Sequence, residues 1–331
     1  MTNQPSATWG PEFPAIFDRQ SKKLTARSFK AWLQVRCIQV SSKALAPVGY
    51  VGISRVHGAI NALLRPSGDT LIIDKESLFR FPANDYYWNR LLDTAWHYEP
   101  EIDRFLSEHS EVPFVFVDLG ANFGFWSSRV AQGEFGAHHV IAVEPADSCL
   151  DVLHRNIVGH GSPVIVHKRI IDETSGVPRQ LFGSRHAGFS VDSHWSGASD
   201  TCVNEALTLS VDDLFDEATA GDAATPVVFK VDVEGAELSA LKGATQAIDG
   251  ATIFIMEDAA AGSVAPATRY AVEELGMRLY AMRDGGMRSL SGWQEVLSMR
   301  TSASRIQVTG LNLFVTRSPF WIQRLDLEST G

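Results

Sequence analysis

The sequence predicts a doubly wound α/β fold with a Rossmann-like sheet, mostly parallel, and three observations carry that prediction. From residue 113 onward, short β-branched or aromatic runs alternate with segments of helical length. Those runs are apolar on both faces, as strands covered by helices on both sides must be. A glycine-bearing turn, Asp118-Leu119-Gly120-Ala121-Asn122-Phe123-Gly124, closes the first run and opens a helix.

The elements follow in order. Residues 1–18 read as an irregular tail, since Pro5, Pro11 and Pro14 interrupt any helix. Residues 19–96 form a basic N-terminal extension. In it Phe29, Trp32, Leu33, Cys37 and Val40 make one apolar stripe of an amphipathic helix, with Lys30 and Gln34 elsewhere on its surface. Leu71-Ile72-Ile73 and Leu78-Phe79-Arg80-Phe81 flank a polar turn as a small hairpin. Pro100 suits the first turn of a helix whose inward face is Ile102, Phe105 and Leu106. The strand runs are 114–119, 139–144, 163–171, 226–233 and 251–257, and Gln307–Thr316 reads as a late, antiparallel strand. The α/β domain accordingly spans 97–317, and 318–331 is expected to be a C-terminal tail.

Residues 183–201 break the alternation. They are polar, rich in Gly and Ser, and carry His186, Ser190, His194 and Trp195, and a long loop inside such a domain is usually functional or disordered. Ser210 and Asp213 fit a helix-start signal instead of chemistry.

Composition narrows the class. The chain has 331 residues, 45% hydrophobic and 21% charged, which is globular and excludes disordered or fibrous types. Its net charge of −10 is unevenly spread. No Asp or Glu occurs from Arg19 to Gly68, where nine Lys and Arg lie, leaving 20 basic against 39 acidic residues elsewhere, a balance of −19. The expected explanations, in order, are packing of the basic segment on the acidic remainder, contact with an anionic membrane surface, and nucleic acid last, for want of a reading motif. No apolar run approaches the ~18 residues of a membrane span. The three cysteines, Cys37, Cys149 and Cys202, suit neither a disulfide framework nor a metal site. A cytoplasmic location follows as the expectation, with peripheral membrane contact through residues 19–68.

The turn at 118–124 is the chief functional signal. Its glycines let backbone approach a ligand, and the following helix offers free amides. Glu144 ends the second strand twenty residues after Gly124, placed to accept both hydroxyls of a ribose. A dinucleotide turn needs a second glycine where Asn122 stands, and Asp118 repels phosphate while suiting an amino group. A ligand with a ribose, an amino-acid end and no phosphate fits, namely S-adenosylmethionine.

VDLGANFGFWS, VIAVEP, LSVDDL and KVDVEGAELSALKGA together resemble the FkbM family of S-adenosylmethionine-dependent methyltransferases, as does WHYEPEIDRFL before the first strand. The resemblance covers roughly residues 97–317. It implies a methyltransferase sheet with Asp118, Gly120, Asn122, Gly124 and Glu144 around S-adenosyl-L-methionine, with Ala121, Pro145 and Asp232 completing the set. By the same resemblance Asp172 contacts the adenine amino group and Glu99 faces the methionine end. A turn-forming role for Asp172 and a helix-dipole role for Glu99 stay open.

Transfer to a neutral hydroxyl needs a base in reach. Asp232 and Glu234 follow the fourth strand at i and i+2, so both are expected to face one crevice at the carboxyl end of the sheet. Glu257 and Asp258 end the neighbouring strand, and Lys230 is placed to neutralise or orient. Asp232, Glu234 and Glu257 are the catalytic candidates, with His186 and His194 behind them, while Glu237 reads as helix-start electrostatics. A metal set of Asp232, Glu257 and Asp258 resembles catechol-type methyltransferases, but the lysine base of that group would fall on Gly235, so no metal is expected. The predicted function is O-methylation of a sugar, glycan or natural-product hydroxyl. An NAD-dependent oxidoreductase and a non-catalytic nucleotide-binding module are the alternatives.

Overall fold

Five consecutive buried residues, Val115–Leu119, make the kind of strand that only a sheet covered on both faces accommodates. In the computed structural model, which describes residues 13–75, 77–158, 163–183, 186–191, 201–258, 266–283, 286–302 and 311–328, that strand lies near the middle of an eight-stranded sheet. The chain divides into two units, Met1–Tyr98 and Glu99–Gly331.

The first unit contains strands β1 (Ala15–Asp18) and β2 (Lys23–Ala26), helices α1 (Phe29–Leu45) and α2 (Ile53–Leu64), and strands β3 (Asp69–Asp74) and β4 (Ser77–Pro82). The sheet order is β2-β1-β3-β4, with β1 parallel to β3 and the outer pairs antiparallel. The predicted hairpin is β3–β4, and alternation buries Ser77, Phe79 and Phe81 on one face. Two expectations fail in this unit. Residues 15–18 are not tail but β1, because Ala15 and Phe17 alternate into the core. The predicted helix is α1, capped by the Ser28 hydroxyl accepting from the Ala31 amide at 3.1 Å, yet its buried side is Ala31, Gln34, Val35, Ile38 and Ser42. Phe29 is 74% exposed and Val40 67%, so the apolar stripe points outward.

The second unit runs α3 (Pro100–Glu108), β5 (Val115–Leu119), α4 (Phe125–Ala131), β6 (His139–Val143), α5 (Asp147–Ile157), β7 (Val164–His167), β8 (Ile170–Ile171), β9 (Pro178–Phe182) and β10 (Cys202–Leu209). It continues with α6 (Val211–Thr219), β11 (Val227–Val231), α7 (Glu237–Lys242), β12 (Thr252–Asp258), α8 (Pro266–Glu273), β13 (Arg278–Arg283), β14 (Gly286–Leu290), α9 (Trp293–Ser302), β15 (Leu311–Thr316) and α10 (Pro319–Glu328). The large sheet has the order β14-β13-β15-β12-β11-β5-β6-β7. Strands β12, β11, β5, β6 and β7 are parallel, while β15 is antiparallel to both β12 and β13. This is the predicted doubly wound, mostly parallel α/β sheet with an antiparallel late strand, of which residues 307–310 lie outside the described part.

The run at 163–171 is not one strand. It splits into β7 at the sheet edge and β8, which pairs with β10 in a separate small sheet of order β8-β10-β9. Residues 318–331 are not a plain tail either. Helix α10 buries Trp321 completely and its indole donates to the Ala251 carbonyl at 2.9 Å.

Candidate active site

Strand β5 delivers Asp118 to the carboxyl end of the sheet, 1% exposed. Its Oδ2 accepts from the Ser127 hydroxyl at 2.6 Å and the Ser127 amide at 3.2 Å at the start of α4. Its buried Oδ1 has no hydrogen-bond partner among the described residues. Burial pushes the Asp118 carboxyl above its ordinary range, and Lys230 opposes that shift.

Gly120 follows with φ +83°, and a Cβ there would lie 1.9 Å from the Asp232 carbonyl oxygen. A Cβ at Gly124, φ +77°, would lie 3.1 Å from Leu153 Cγ. A Cβ on either glycine would therefore meet the chain itself. What Gly120 does is bring the turn onto Asp232, whose amide donates to the Leu119 carbonyl at 3.1 Å. Asn122 is left-handed, φ +53°, and its amide donates to Glu144 Oε2 at 2.8 Å. Glu144 Oε1 accepts from the Ala146 amide at 2.8 Å. Burial pushes the Glu144 carboxyl up to about 7 although both amides pull the other way. Each oxygen keeps a second lone pair for a further donor. The carbonyl of Pro145 accepts from Asn204 Nδ2 at 2.7 Å, and Ala121 is buried with its amide on the Val143 carbonyl.

The second half of the site grows from β11. Lys230 sits opposite Asp118 in the β5–β11 register and is only 3% exposed. Its ammonium donates to Asp232 Oδ2 at 2.9 Å, two residues on. Burial works against the charge on Lys230, but Asp232, Glu99 and Asp118 outweigh it and hold the ammonium above its ordinary range. Glu99 precedes α3 in a left-handed conformation, φ +43°. Its carboxylate accepts from the Trp126 indole at 2.6 Å and from Asn312 Nδ2 at 3.2 Å, and burial raises its proton affinity. Glu257 pairs with Asn312 in the β12–β15 register. Burial, then Asp232 and Glu99, push its carboxyl up to about 9, so it holds its proton at neutral pH. Four carboxyl groups thus surround one buried ammonium beyond the ends of adjacent parallel strands, where open α/β sheets bind ligands.

The structure brings Glu99, Asp118, Asp232 and Glu257 together but treats other candidates differently. Strand β11 ends at Val231 and Glu234 is left-handed, φ +46°, so the i, i+2 relation that aims side chains alike does not reach it. The pair sharing a face is Lys230 and Asp232. Glu234 contributes its charge near Glu257, and its carbonyl accepts from the Ser190 hydroxyl at 2.7 Å. Glu237 accepts from the Gly235 amide at 3.0 Å at the start of α7. Asp172 follows β8, off the large sheet, with its carboxylate on Arg179 Nε at 3.1 Å and on the Glu173 amide at 2.8 Å.

His186 stacks on Phe123 with centroids 4.4 Å apart, and its carbonyl accepts from Asn122 Nδ2 at 2.9 Å. Through His186 and Ser190 the polar loop is therefore tied to both halves of the site. His194 and Trp195 lie outside the described residues. Sequence reasoning missed Ser127, Trp126 and Asn312. For Asn312 a signal existed, a lone amide inside the apolar run Leu311–Thr316.

Residues 118–278 match the model of the methyltransferase FkbM domain. That match takes in a little under half of the 331 residues. Asp118, Glu144, Lys230, Asp232 and Glu257 all fall within the matched FkbM region, and Glu99 and Asn312 lie outside it. Among solved structures, the chain is similar to methyltransferase FkbM from Methylobacillus flagellatus KT, at 18% identity over 70% of this chain, with a TM-score of 0.36. It spans about half of that protein, 53%. It is also similar to an S-adenosylmethionine dependent methyltransferase from Mesorhizobium loti, at 14% identity over 69% of this chain and 78% of the other, TM-score 0.25. No curated protein matches the sequence.

Proposed function

We propose that this chain transfers a methyl group from S-adenosyl-L-methionine to a hydroxyl of a sugar, glycan or other hydroxylated small molecule. The observation that carries the reading is the buried Asp118 Oδ1, which lacks a partner among the described residues one turn away from Glu144. An orphaned buried carboxylate oxygen costs free energy that a ligand's ammonium would recover. Glu144, with two lone pairs spare, suits ribose hydroxyls. Both features fit a ligand with an amino-acid end and a ribose, and Asn122 in place of glycine disfavours a pyrophosphate. The acceptor class rests on the family resemblance.

When bound, the cofactor supplies an electrophilic methyl carbon. The chain's part is to hold the acceptor in line and manage one proton. Asp232 is the residue we assign to the acceptor hydroxyl, as base or as orienting group. Lys230 fixes its carboxylate from behind, and Gly120 fixes its backbone against the cofactor turn. Glu257 holds a proton near neutrality and so has an O–H to donate.

Turnover with labelled S-adenosylmethionine over glycans and hydroxylated small molecules tests the reading. Asp232→Asn should lower kcat by about 100-fold or more while leaving S-adenosylhomocysteine affinity within a few-fold. Unchanged turnover removes Asp232 from the mechanism. Glu144→Ala should instead weaken cofactor affinity about ten-fold or more, and full affinity would contradict the ribose assignment. Thermal stabilisation by NAD but not by S-adenosylhomocysteine would replace the whole reading by the oxidoreductase one.

A further inference from the structure

Helices α1 and α2 are built inside out. Where they meet, Gln34 Nε2 donates to Asn61 Oδ1 at 2.9 Å, and the Ser42 hydroxyl lies 3.2 Å from His57 Nε2, all four residues being buried. The outward faces are apolar. On α1, Phe29, Leu33 and Val40 fall within a narrow arc of the helix. On α2, Val56, Ala59 and Leu63 do the same, Leu63 at 82% exposed. Seven of the twelve large exposed apolar side chains among the described residues lie between Phe29 and Leu63, so the apolar exposure is concentrated, not scattered.

The same segment is the acid-free one. Of its nine basic residues only Arg19 is buried, held by Asp74 and by the carbonyls of Leu91, Asp93 and Trp96. Lys22, Lys23, Arg27, Lys30, Arg36, Lys43, Arg55 and Arg65 are all exposed. Arg36 and Lys43 flank the apolar arc of α1 on the side where Trp32 stacks on Phe29, centroids 5.7 Å apart, with the Arg36 guanidinium 5.9 Å from the indole. A pocket lined by Lys22, Arg36, Gln39 and Lys43, with the buried Asp93 also in its wall, opens beside that arc.

We propose that the outward face of α1 docks on the surface of an anionic bilayer, with Phe29, Trp32 and Val40 in the acyl boundary. Lys22, Arg36 and Lys43 meet lipid phosphates. An apolar arc bordered by exposed cations is what an interfacial helix requires. A second copy of the same face is opposed by its charge, because a two-fold contact would set one cationic rim against another. Helix α1 lies on the membrane, for no helix among the described residues is long and apolar enough to cross one. The inference is independent of the proposed catalysis and is read without turnover.

Flotation of the intact chain with vesicles of phosphatidylcholine and phosphatidylserine, against phosphatidylcholine alone, tests it. The expected result is binding to the anionic vesicles only, weakening as salt is raised. The double variants Phe29→Ser/Val40→Ser and Arg36→Gln/Lys43→Gln, all at exposed positions, should each reduce partitioning about thirty-fold or more with Tm and S-adenosylhomocysteine binding unchanged. Absence of flotation overturns the proposal, and so does flotation that survives the apolar double variant, which would be charge adsorption alone. A concentration-dependent dimer that the apolar variant dissociates, with no vesicle binding, would assign the face to a second copy and overturn it too.

Discussion

Lys230 holds the carboxyl cluster of the candidate site in one arrangement. A buried ammonium persists only if opposite charges compensate its desolvation, and here Asp232, Glu99 and Asp118 do so. Glu257 is pushed well into the alkaline range, to about 9 against an ordinary 4.5. A carboxyl whose folded value is raised stabilises the fold fully below its unfolded value, and that contribution is lost as pH rises through the folded one. Stability should therefore fall between about pH 5 and about pH 9. Glu257→Gln, which keeps the shape and cannot ionise, should flatten much of that slope and raise Tm on the alkaline side. Thermal melts of both proteins across that range check it. Parallel slopes would mean that Glu257 is not the proton holder.

Much of this residue-level site was legible because the motif residues sit at strand ends, where topology dictates which way they face. Asp118, Glu144 and Asp232 needed only the strand boundaries. Glu234 was misplaced because alternation was extended two residues past the last ladder position, into a left-handed residue that no local pattern announces. Asn312 and Trp126 reach Glu99 across 213 and 27 positions of sequence, and contacts at such range leave no spacing to read.

At the scale of elements, the turn after β5 shows why a glycine is needed there. A side chain at Gly120 meets a backbone oxygen of the neighbouring strand end, which cannot rotate aside as a flexible side chain would. Gly120→Ala should cost about 3 kcal/mol or more, from the clash and the positive φ together, read as a lower urea midpoint. A loss under about 0.5 kcal/mol would mean that the turn relaxes freely.

The helices instruct in another way. A helical period in α1 was visible, but the face it turns to the core was not, because periodicity reports where apolar residues cluster and not what covers them. The buried face carries Gln34 and Ser42, acceptable only because Asn61 and His57 on α2 supply partners. The C-terminal residues read as tail because 318–331 follows the last strand, yet Trp321 anchors α10 in the core. Trp321→Ala should cost about 3–5 kcal/mol, measured by denaturant unfolding, whereas a residue in a true tail would cost nothing.

On the scale of the whole molecule, four buried or half-buried carboxyl groups, Glu99, Asp118, Glu144 and Glu257, are all pushed upward chiefly by burial. The protein consequently holds protons at its candidate site that an unfolded chain would have released. A ligand bringing an ammonium to Asp118 and hydroxyl donors to Glu144 favours the ionised forms. Binding must then expel protons, and affinity must rise with pH until the free protein has lost them itself. For Glu144 that limit is about 7. Calorimetry of S-adenosylhomocysteine binding near pH 6 to 7, in two buffers of different ionisation heat, should show net proton release of about half a proton or more. Glu144→Gln should reduce that release along with the affinity. Identical heats in the two buffers would mean that the ligand leaves these carboxyl groups as it found them, and the assignment of Asp118 and Glu144 to cofactor recognition would fall with it.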